Sequence, residues 1–340
     1  MSTTPTTLDG RATGISPDSE AFNARTRIHS VYRVAEPALA PAQAFEAAYA
    51  QLVALAARAT APAFACALVD PDGRLRGAAL LPPGGTVTAG RHSQCGLRLR
   101  ETDAPLRALT AVVVAGEDGA PPLLRVWDLA TGQPFHTEDG SPAEAIVADG
   151  ATYLTLGAHA LWFVPVGPGH AWPPRPTDAF AALPARTFID RRAPAAEPAR
   201  ALAPRDPGGP PGSHTRITLV APALYVGDDT GPELAWGQLR VCCCGERSAR
   251  NVSAEQLERG VLVGRYDRCR LRLDGDDEVS RVHALLVRLG GEVWAVDTAS
   301  THGLALGGQL VEAAVLPDGG ELALSDQTSL EWRRTARAGA

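Results

Sequence analysis

A twelve-residue pattern occurs twice in this chain and limits what the chain can fold into. Residues 88–99 align with 262–273 without a gap, and Gly, Arg, Cys, Leu, Arg and Leu recur at the same positions. In both places Gly-Arg follows a short apolar run, and leucines then alternate with other residues, which is typical of β-strands joined by turns. A repeat of this kind indicates two copies of one domain.

The second copy carries the polar residues of a binding site. Gly264-Arg265 is followed by Ser280-Arg281-Val282-His283 and then by the turn Asp297 to Gly303, which reads DTASTHG. Each part lies at a turn between apolar runs, so an arginine and two hydroxyl-bearing turns can meet at one end of a β-sandwich. A guanidinium offers phosphate a planar fork of donors, and the hydroxyls and turn N–H groups bind the remaining oxygens. The pattern predicts a phosphate-binding edge.

The order GR, SxxH and S-T-x-G, after an apolar strand ending in Asp297, resembles a forkhead-associated (FHA) domain of bacterial type over roughly residues 236–334. The resemblance implies a β-sandwich whose loops bind phosphothreonine peptides, and a partner protein phosphorylated by a serine/threonine kinase. The residues that it assigns to phosphopeptide binding are Arg265, Ser280, Arg281, Thr301 and His302. Those that it assigns to loop support are Gly264, His283 and Gly303.

Two positions depart from the family pattern. His302 stands where the family has an asparagine before the glycine of the last turn, and Gly307-Gly308 replaces an Asn-Gly turn. The residues that face phosphate are kept, whereas two amides that face the peptide are absent. Two functions therefore stay open: a phosphothreonine-binding adaptor in kinase signalling, and a phosphate-independent scaffold in an assembly such as a secretion-associated complex.

The first copy lacks the equivalent binding residues. Continuing the alignment without a gap places Leu106-Arg107-Ala108-Leu109 on Ser280-Arg281-Val282-His283, so that leucine replaces both the serine and the histidine. Further on, Asp128 falls on Asp297, and Thr131 to Pro134 replaces Ser300 to Gly303. We therefore expect a degenerate FHA-like copy that keeps its core and serves as a structural or docking surface.

The fold class that we expect is all-β, with two FHA-type sandwiches joined by a proline-rich linker and preceded by one helix. Pro41 opens a helical pattern that continues to about Arg58 and has an apolar face. Whether the two sandwiches pack together is left open. The expected segments are a disordered tail at 1–26, a strand and amphipathic helix at 27–60, the degenerate copy at 61–166, a Pro/Ala/Arg-rich linker at 167–214 and the FHA domain at 215–335.

An island inside the linker suggests a ligand within the chain itself. Residues 185–192 place Phe188 and Ile189 next to each other in a polar tract, and Thr187 has an acid three residues later. Thr187 and, more weakly, Thr6 are candidate phosphorylation sites, so the FHA domain could bind the chain's own phosphorylated tail or linker. The alternative for the island is an apolar clip on a domain surface.

Composition excludes several functional classes. The chain has no lysine, which removes the lysine-dependent nucleotide and kinase sites, and its net charge of -6 disfavours nucleic-acid binding. It has no signal-like start and no long apolar run, so we expect a cytoplasmic protein without membrane insertion. The cysteines fit a reduced compartment, and we expect no metal and no cofactor. Ser280, His283 and Asp297 could form a hydrolytic triad, but no GxSxG elbow surrounds the serine, so we expect no enzyme activity.

Overall fold

The chain is mostly β-strand, as a computed structural model shows. The structure describes residues 38–335 apart from 102–103, 117–119, 130, 170, 193–199, 202–213, 224–229 and 232. The tail expected at 1–26, the strand expected near Arg27 to Val34 and Thr6 all lie outside the described residues. The predicted all-β class is confirmed. The helices of the described part are α1 (Pro41–Ala56), α2 (Pro176–Ala181) and α3 (Ala254–Arg259).

Two sheets form the first sandwich. Its strands are β1 (Ala63–Val69), β2 (Leu75–Leu81), β3 (Thr86–Gly90), β4 (Leu97–Arg98), β5 (Leu109–Val114), β6 (Leu123–Asp128), β7 (Phe135–Thr137), β8 (Pro142–Ala143), β9 (Ala145–Ala148), β10 (Thr152–Leu156), β11 (His159–Val166), β12 (Ala185–Asp190), β13 (Arg200–Ala201) and β14 (His214–Leu219). One sheet has the order β2-β1-β11-β10-β7-β8, and the other has the order β13-β12-β14-β9-β6-β5-β3-β4. Phe64, Leu124 and Phe163 are fully buried in the core between them.

The second sandwich is built from the remaining strands. They are β15 (Gly237–Cys243), β16 (Glu246–Val252), β17 (Val261–Gly264), β18 (Leu271–Arg272), β19 (Ala284–Leu289), β20 (Glu292–Asp297), β21 (Leu304–Leu306), β22 (Gln309–Val311), β23 (Ala313–Val315), β24 (Glu321–Ala323) and β25 (Thr328–Arg334). The sheets have the orders β16-β15-β25-β24-β21-β22 and β18-β17-β19-β20-β23. Leu286, Leu304 and Leu330 are fully buried in the core that they enclose.

The two sandwiches have the same topology. The six-stranded sheets match strand for strand, and β4-β3-β5-β6-β9 of the first sandwich matches β18-β17-β19-β20-β23 of the second. Both contain an equivalent short parallel pair, in which Ala89 lies opposite Leu97 and Val263 lies opposite Leu271. The sequence repeat therefore corresponds to a repeated arrangement of strands.

Backbone contacts correct the alignment of the two copies by one residue. The Arg91 N–H donates to the Pro105 carbonyl at 3.0 Å, and the Arg265 N–H donates to the Ser280 carbonyl at 3.1 Å. Pro105, and not Leu106, thus occupies the position of the serine. The gapless alignment was wrong here because the loop of the first copy is one residue shorter.

The same shift applies at the start of the next strand. The Ala108 N–H donates to β3 as the His283 N–H donates to β17, so Ala108, and not Leu109, occupies the histidine position. The loss of the hydroxyl and of the imidazole from the first copy is unchanged. Arg107 moves to the position of Val282, which is an apolar residue buried at 6 % exposure.

Helix α1 covers the outer face of the β1-β11 sheet. Its apolar positions, among them Phe45 and Leu52, are fully buried against that sheet. The Phe45 and Trp162 rings meet edge to face with centroids 5.4 Å apart, and Trp162 Nε1 donates to the Pro41 carbonyl at 3.1 Å. The expected amphipathic helix is therefore present, and its apolar face packs on the first sandwich.

The described residues of the expected linker, 167–214, are not all extended spacer, because they include a helix and a strand of the first sandwich. Residues 176–181 form α2, and β12 joins the first sandwich by pairing in parallel with β14 from Ala185 to Asp190. The apolar island explains the difference, because Phe188 is buried in the core of the first sandwich at 3 % exposure. A proline-rich composition did not prevent one strand with a buried phenylalanine from entering the sheet.

The two sandwiches pack against each other through the outer faces of their second sheets. Alternate residues of β19 point to different cores: Leu286 lies in the core of its own sandwich, whereas Leu285 and Val287 face the first sandwich. Val112 and Trp127 meet them from β5 and β6. Both faces of β19 are covered, which accounts for its nearly continuous apolar sequence.

Polar side chains from the first sandwich also cross this interface. Trp127 Nε1 donates to the Arg259 carbonyl at 2.9 Å. The Arg125 guanidinium donates to the carbonyls of Glu258 at 2.6 Å and Arg288 at 3.4 Å. These contacts add hydrogen bonds to the apolar interface.

In the part of the chain that the structure describes, no helix is long and apolar enough to cross a membrane. Among the same residues, no group of three or more His, Cys, Asp or Glu side chains is arranged to hold a metal ion.

Candidate phosphate-binding edge

Gly264 allows two loops of the second sandwich to approach each other closely. A methyl group at this position would lie 2.3 Å from the Arg281 carbonyl oxygen, which is too close for any side chain. Gly90 has the same constraint in the first sandwich, where the Leu106 carbonyl lies 2.3 Å from such a methyl group. The shared glycine therefore serves the fold of both copies, and it places Arg265 beside the loop that carries Ser280.

His283 holds the Ser280 loop from inside the sandwich. It is fully buried, its Nδ1 accepts the Ser280 N–H at 3.0 Å, and its Nε2 lies 3.0 Å from the Gly303 carbonyl. Because one partner only donates and the other only accepts, the ring is neutral with its proton on Nε2. Burial lowers the pKa of His283, although the Gly303 carbonyl and Asp297 act in the opposite direction. The ring thus connects both loops of the candidate site.

The Ser280 hydroxyl lies at the centre of this edge. Its Oγ accepts the Thr301 N–H at 3.0 Å and lies 3.3 Å from Thr301 Oγ1. Ser280 is 6 % exposed, whereas Thr301 is exposed at the rim. Two hydroxyls and a turn N–H group are therefore within reach of one another, as phosphate binding requires.

Arg265 lies at the solvent side of the same edge. Its side chain is 41 % exposed, and its Nη1 lies 3.7 Å from a carboxylate oxygen of the fully exposed Asp277. An ion pair between two such exposed groups contributes little, because water screens it. A phosphate group can therefore displace Asp277 from this arginine at low cost.

The last turn is held by its own side chains. The Asp297 carboxylate accepts the Ser300 N–H at 3.1 Å, and Ser300 Oγ accepts the Gly303 N–H at 2.9 Å. Gly303 has a φ of +78° and Ala299 has a φ of +60°, a conformation that few side chains adopt. The turn is therefore preorganised before any ligand is bound.

Arg281 and His302 lie at the surface of the site. Both are exposed, and both line the cavity of about 260 Å³ that contains Ser280. The His302 Nδ1 lies 2.9 Å from the Glu278 carbonyl, so the ring is fixed against the neighbouring loop. His302 therefore contributes an oriented imidazole where the family pattern has an amide.

The structure also brings residues of the first sandwich into the site, which the sequence analysis did not include. Arg107 Nε donates to the Ala299 carbonyl at 2.7 Å, and its Nη2 lies 3.4 Å from Ser280 Oγ. Gln94 Nε2 donates to the Thr301 carbonyl at 3.2 Å. His92 lines the same cavity. The only sequence signal for this contribution of the first sandwich is an arginine at a position that is apolar in the second copy. The one-residue misalignment concealed that signal.

Arg91, the counterpart of Arg265, has a different role. Its Nε donates to the Ala104 carbonyl at 2.8 Å, within its own loop. Pro105 provides no hydroxyl beside it. The first copy therefore has no arrangement comparable to the one around Ser280.

The candidate phosphorylation site Thr187 lies within a sheet. It is half-buried on β12, opposite Ala201 on one side and Arg216 on the other. A kinase binds its substrate as an accessible segment, so modification of Thr187 would require β12 to leave the sheet.

The geometry does not support a hydrolytic reading of the same residues. His283 Nδ1 accepts from the Ser280 backbone N–H and not from its hydroxyl, so it does not act as a base toward that oxygen.

The fold and this edge define a β-sandwich with its candidate site residues on loops at one end. The family model described as FHA domain matches residues 261–325, and the chain contains an FHA domain there. That match includes Gly264, Arg265, the Ser280 loop and the turn that ends at Gly303. No curated protein matches the chain.

Solved structures with similarity to the chain include several FHA domains. The Slr1951 protein from Synechocystis sp. is 23% identical with a TM-score of 0.27, over 29% of this chain and 99% of that chain. Rv1747 FHA-1 of Mycobacterium tuberculosis is 25% identical with a TM-score of 0.25, over 30% and 100%. Mycobacterium tuberculosis EmbR, solved in complex with a low affinity phosphopeptide, is 20% identical with a TM-score of 0.25, over 30% and 26%.

Proposed function

We propose that this protein binds phosphothreonine peptides through the loop edge of its second sandwich and acts as an adaptor in serine/threonine kinase signalling. The observation that carries the proposal is the environment of the Ser280 hydroxyl, which lies 6 % exposed between the Thr301 N–H and a guanidinium. Such a group of donors around a small cavity suits an anion with several oxygens.

Each residue has a distinct role in the proposed complex. Arg265 pairs with phosphate after releasing Asp277, and Ser280 and Thr301 donate their hydroxyls to phosphate oxygens. Arg281 and His302, at the rim, contact the peptide on either side of the phosphothreonine. The partner is a protein carrying phosphothreonine, from another molecule or from the chain's own tail, in the cytoplasm.

We further propose that residues 61–166 form an FHA-like copy without a phosphate site of its own. The FHA domain expected at 215–335 begins later, near β15, because β14 pairs with β12 and β9 in the first sandwich. The shared strand order and the paired contacts at Gly90 and Gly264 support this division. The replacement of serine by Pro105 and of histidine by Ala108 supports the loss of binding in the first copy.

A phosphothreonine peptide library tests the proposal by fluorescence anisotropy, with each peptide also presented unphosphorylated. Phosphorylated peptides should bind, and Arg265→Ala and Ser280→Ala should each weaken binding about tenfold or more, since each removes a charge-assisted contact of about 1.5–3 kcal/mol. Arg91→Ala is the matched control, because it removes the equivalent arginine of the first copy. It should leave the affinity unchanged.

A phosphate-independent scaffold is the second candidate, and one observation favours it. Asp277 and Glu278 line the same cavity, and Asp277 lies beside Arg265. Carboxylates in that position disfavour an incoming dianion and could instead recognise a basic segment. Equal binding of phosphorylated and unphosphorylated peptides would establish this second function and exclude the first.

A further inference from the structure

We propose that the phosphate site is shared between the two sandwiches, with Arg107 of the first sandwich supplying a second guanidinium to the phosphate held by Ser280 and Arg265. The inference rests on the proposed function and deepens it. The first copy, which lacks a site of its own, then becomes a part of the site of the second.

Geometry places Arg107 in the cavity and not merely near it. The guanidinium is anchored through Nε to the Ala299 carbonyl at 2.7 Å, and its Nη2 reaches to 3.4 Å from Ser280 Oγ. Any phosphate oxygen that hydrogen-bonds the Ser280 hydroxyl lies within a few ångströms of this nitrogen. Anchoring at one edge fixes the fork before the ligand arrives, so little side-chain entropy is lost on binding.

Burial makes a purely structural role costly. Arg107 is only 8 % exposed, yet its counterpart in the second copy is the apolar Val282. In the described part of the chain no carboxylate forms an ion pair with Arg107, which hydrogen-bonds one carbonyl and one hydroxyl there. Burial lowers the pKa of the Arg107 guanidinium, although Cys95 and Asp297 act in the opposite direction. A buried cation without a counterion is accounted for by an anionic ligand.

Other loop residues near Arg107 also reach from one sandwich to the other beside this cavity. Gln94 binds the Thr301 carbonyl on the same side. The reciprocal contact is made by Arg268 of the second sandwich at the last turn of the first. A methyl group at Gly132 of that turn would lie 2.9 Å from Arg268 Nη1. The positions of Gln94 and Arg268 correspond in the repeat, so each copy extends this loop residue to the last turn of the other, as in an isologous dimer.

Affinity for a phosphothreonine peptide, measured on the full chain with Arg107→Gln and Arg107→Lys, tests the inference. Arg107→Gln should weaken binding about tenfold or more, because it removes one charged donor from phosphate. Arg107→Lys keeps the charge without the fork and should recover part of that loss. The matched control is Arg125→Gln, which removes another arginine that crosses the interface but does not line the cavity.

The outcomes separate this inference from the proposed function. Loss of binding in Arg107→Gln, with Arg125→Gln unchanged, supports a shared site. If both variants lose affinity equally, or if Arg107→Gln binds as the wild type does while Arg265→Ala does not, the inference is overturned and the phosphopeptide function stands. If the wild type shows no preference for phosphorylated peptides, both are overturned. Circular dichroism of each variant confirms that the fold is retained.

Discussion

At the scale of single residues, the Ser280 loop depends on the neutral state of His283. The ring accepts one N–H from the Ser280 loop and donates to the Gly303 carbonyl of the last turn, while fully buried. A protonated ring would lose its acceptor and would place a charge in an apolar interior. The two binding loops are therefore joined by a group that can titrate.

This predicts a pH dependence of stability. The folded pKa of His283 lies below its usual value of 6.5, so the unfolded chain binds more protons between the two pKa values. The contribution of His283 is present above pH 6.5 and is lost as pH falls toward the folded pKa. The loss amounts to about 1.4 kcal/mol for each pH unit by which the folded pKa lies below 6.5.

Chemical denaturation at several pH values between 7.5 and 5 measures this on wild type and His283→Gln. As the pH is lowered, the free energy of unfolding should fall more steeply in the wild type than in His283→Gln. His92 and His159 also have lowered pKa values, in both cases mainly through burial, but they are present in both proteins and cancel in the difference. Identical slopes for the two proteins would contradict the role given to His283.

At the scale of elements, β19 connects the two sandwiches because both of its faces are buried. Leu286 packs inside the second sandwich, and Leu285, the preceding residue on the strand, packs against the first. Both side chains are fully buried, so they differ only in the core that they serve.

Leu285→Ala and Leu286→Ala therefore form a matched pair. Each should lower the free energy of unfolding by about 2–5 kcal/mol, since each leaves a cavity in a packed core. Hydrogen exchange distinguishes them: Leu285→Ala should raise exchange at the amides of β5 and β6, and Leu286→Ala should raise exchange within the second sandwich alone. Unchanged exchange in β5 and β6 of Leu285→Ala would contradict a packed interface.

Much of this arrangement of elements was predictable from the sequence, and the exceptions have physical causes. The all-β class and the FHA domain are confirmed, because Gly-Arg and the leucines repeat where both copies need the same close approach and the same core. The shift of one residue at Pro105 was not predictable from identities alone, since the loop before β5 has no fixed length. β12 was missed because its single buried phenylalanine is surrounded by proline-rich sequence.

At the scale of the whole molecule, the two sandwiches form one unit, and one candidate phosphate site lies among its described residues. The apolar runs of β5 and β19 already contain the signal for their packing, because a strand covered on one face alternates and a strand covered on both does not. The position of Arg107 depends on how the two copies meet. The contact between Arg107 and the Ser280 loop therefore follows from the interface and not from either repeat alone. The role of Arg107 at the site stays a prediction.

The measurement that tests the central claim most directly is isothermal titration of the full chain with a phosphothreonine peptide selected from the library. The account predicts one peptide bound per chain, with an affinity lowered about tenfold or more by Ser280→Ala, since Pro105 leaves the first copy without an equivalent hydroxyl. Two peptides per chain, or an affinity that Ser280→Ala leaves unchanged, would contradict a duplicated fold with one phosphate site.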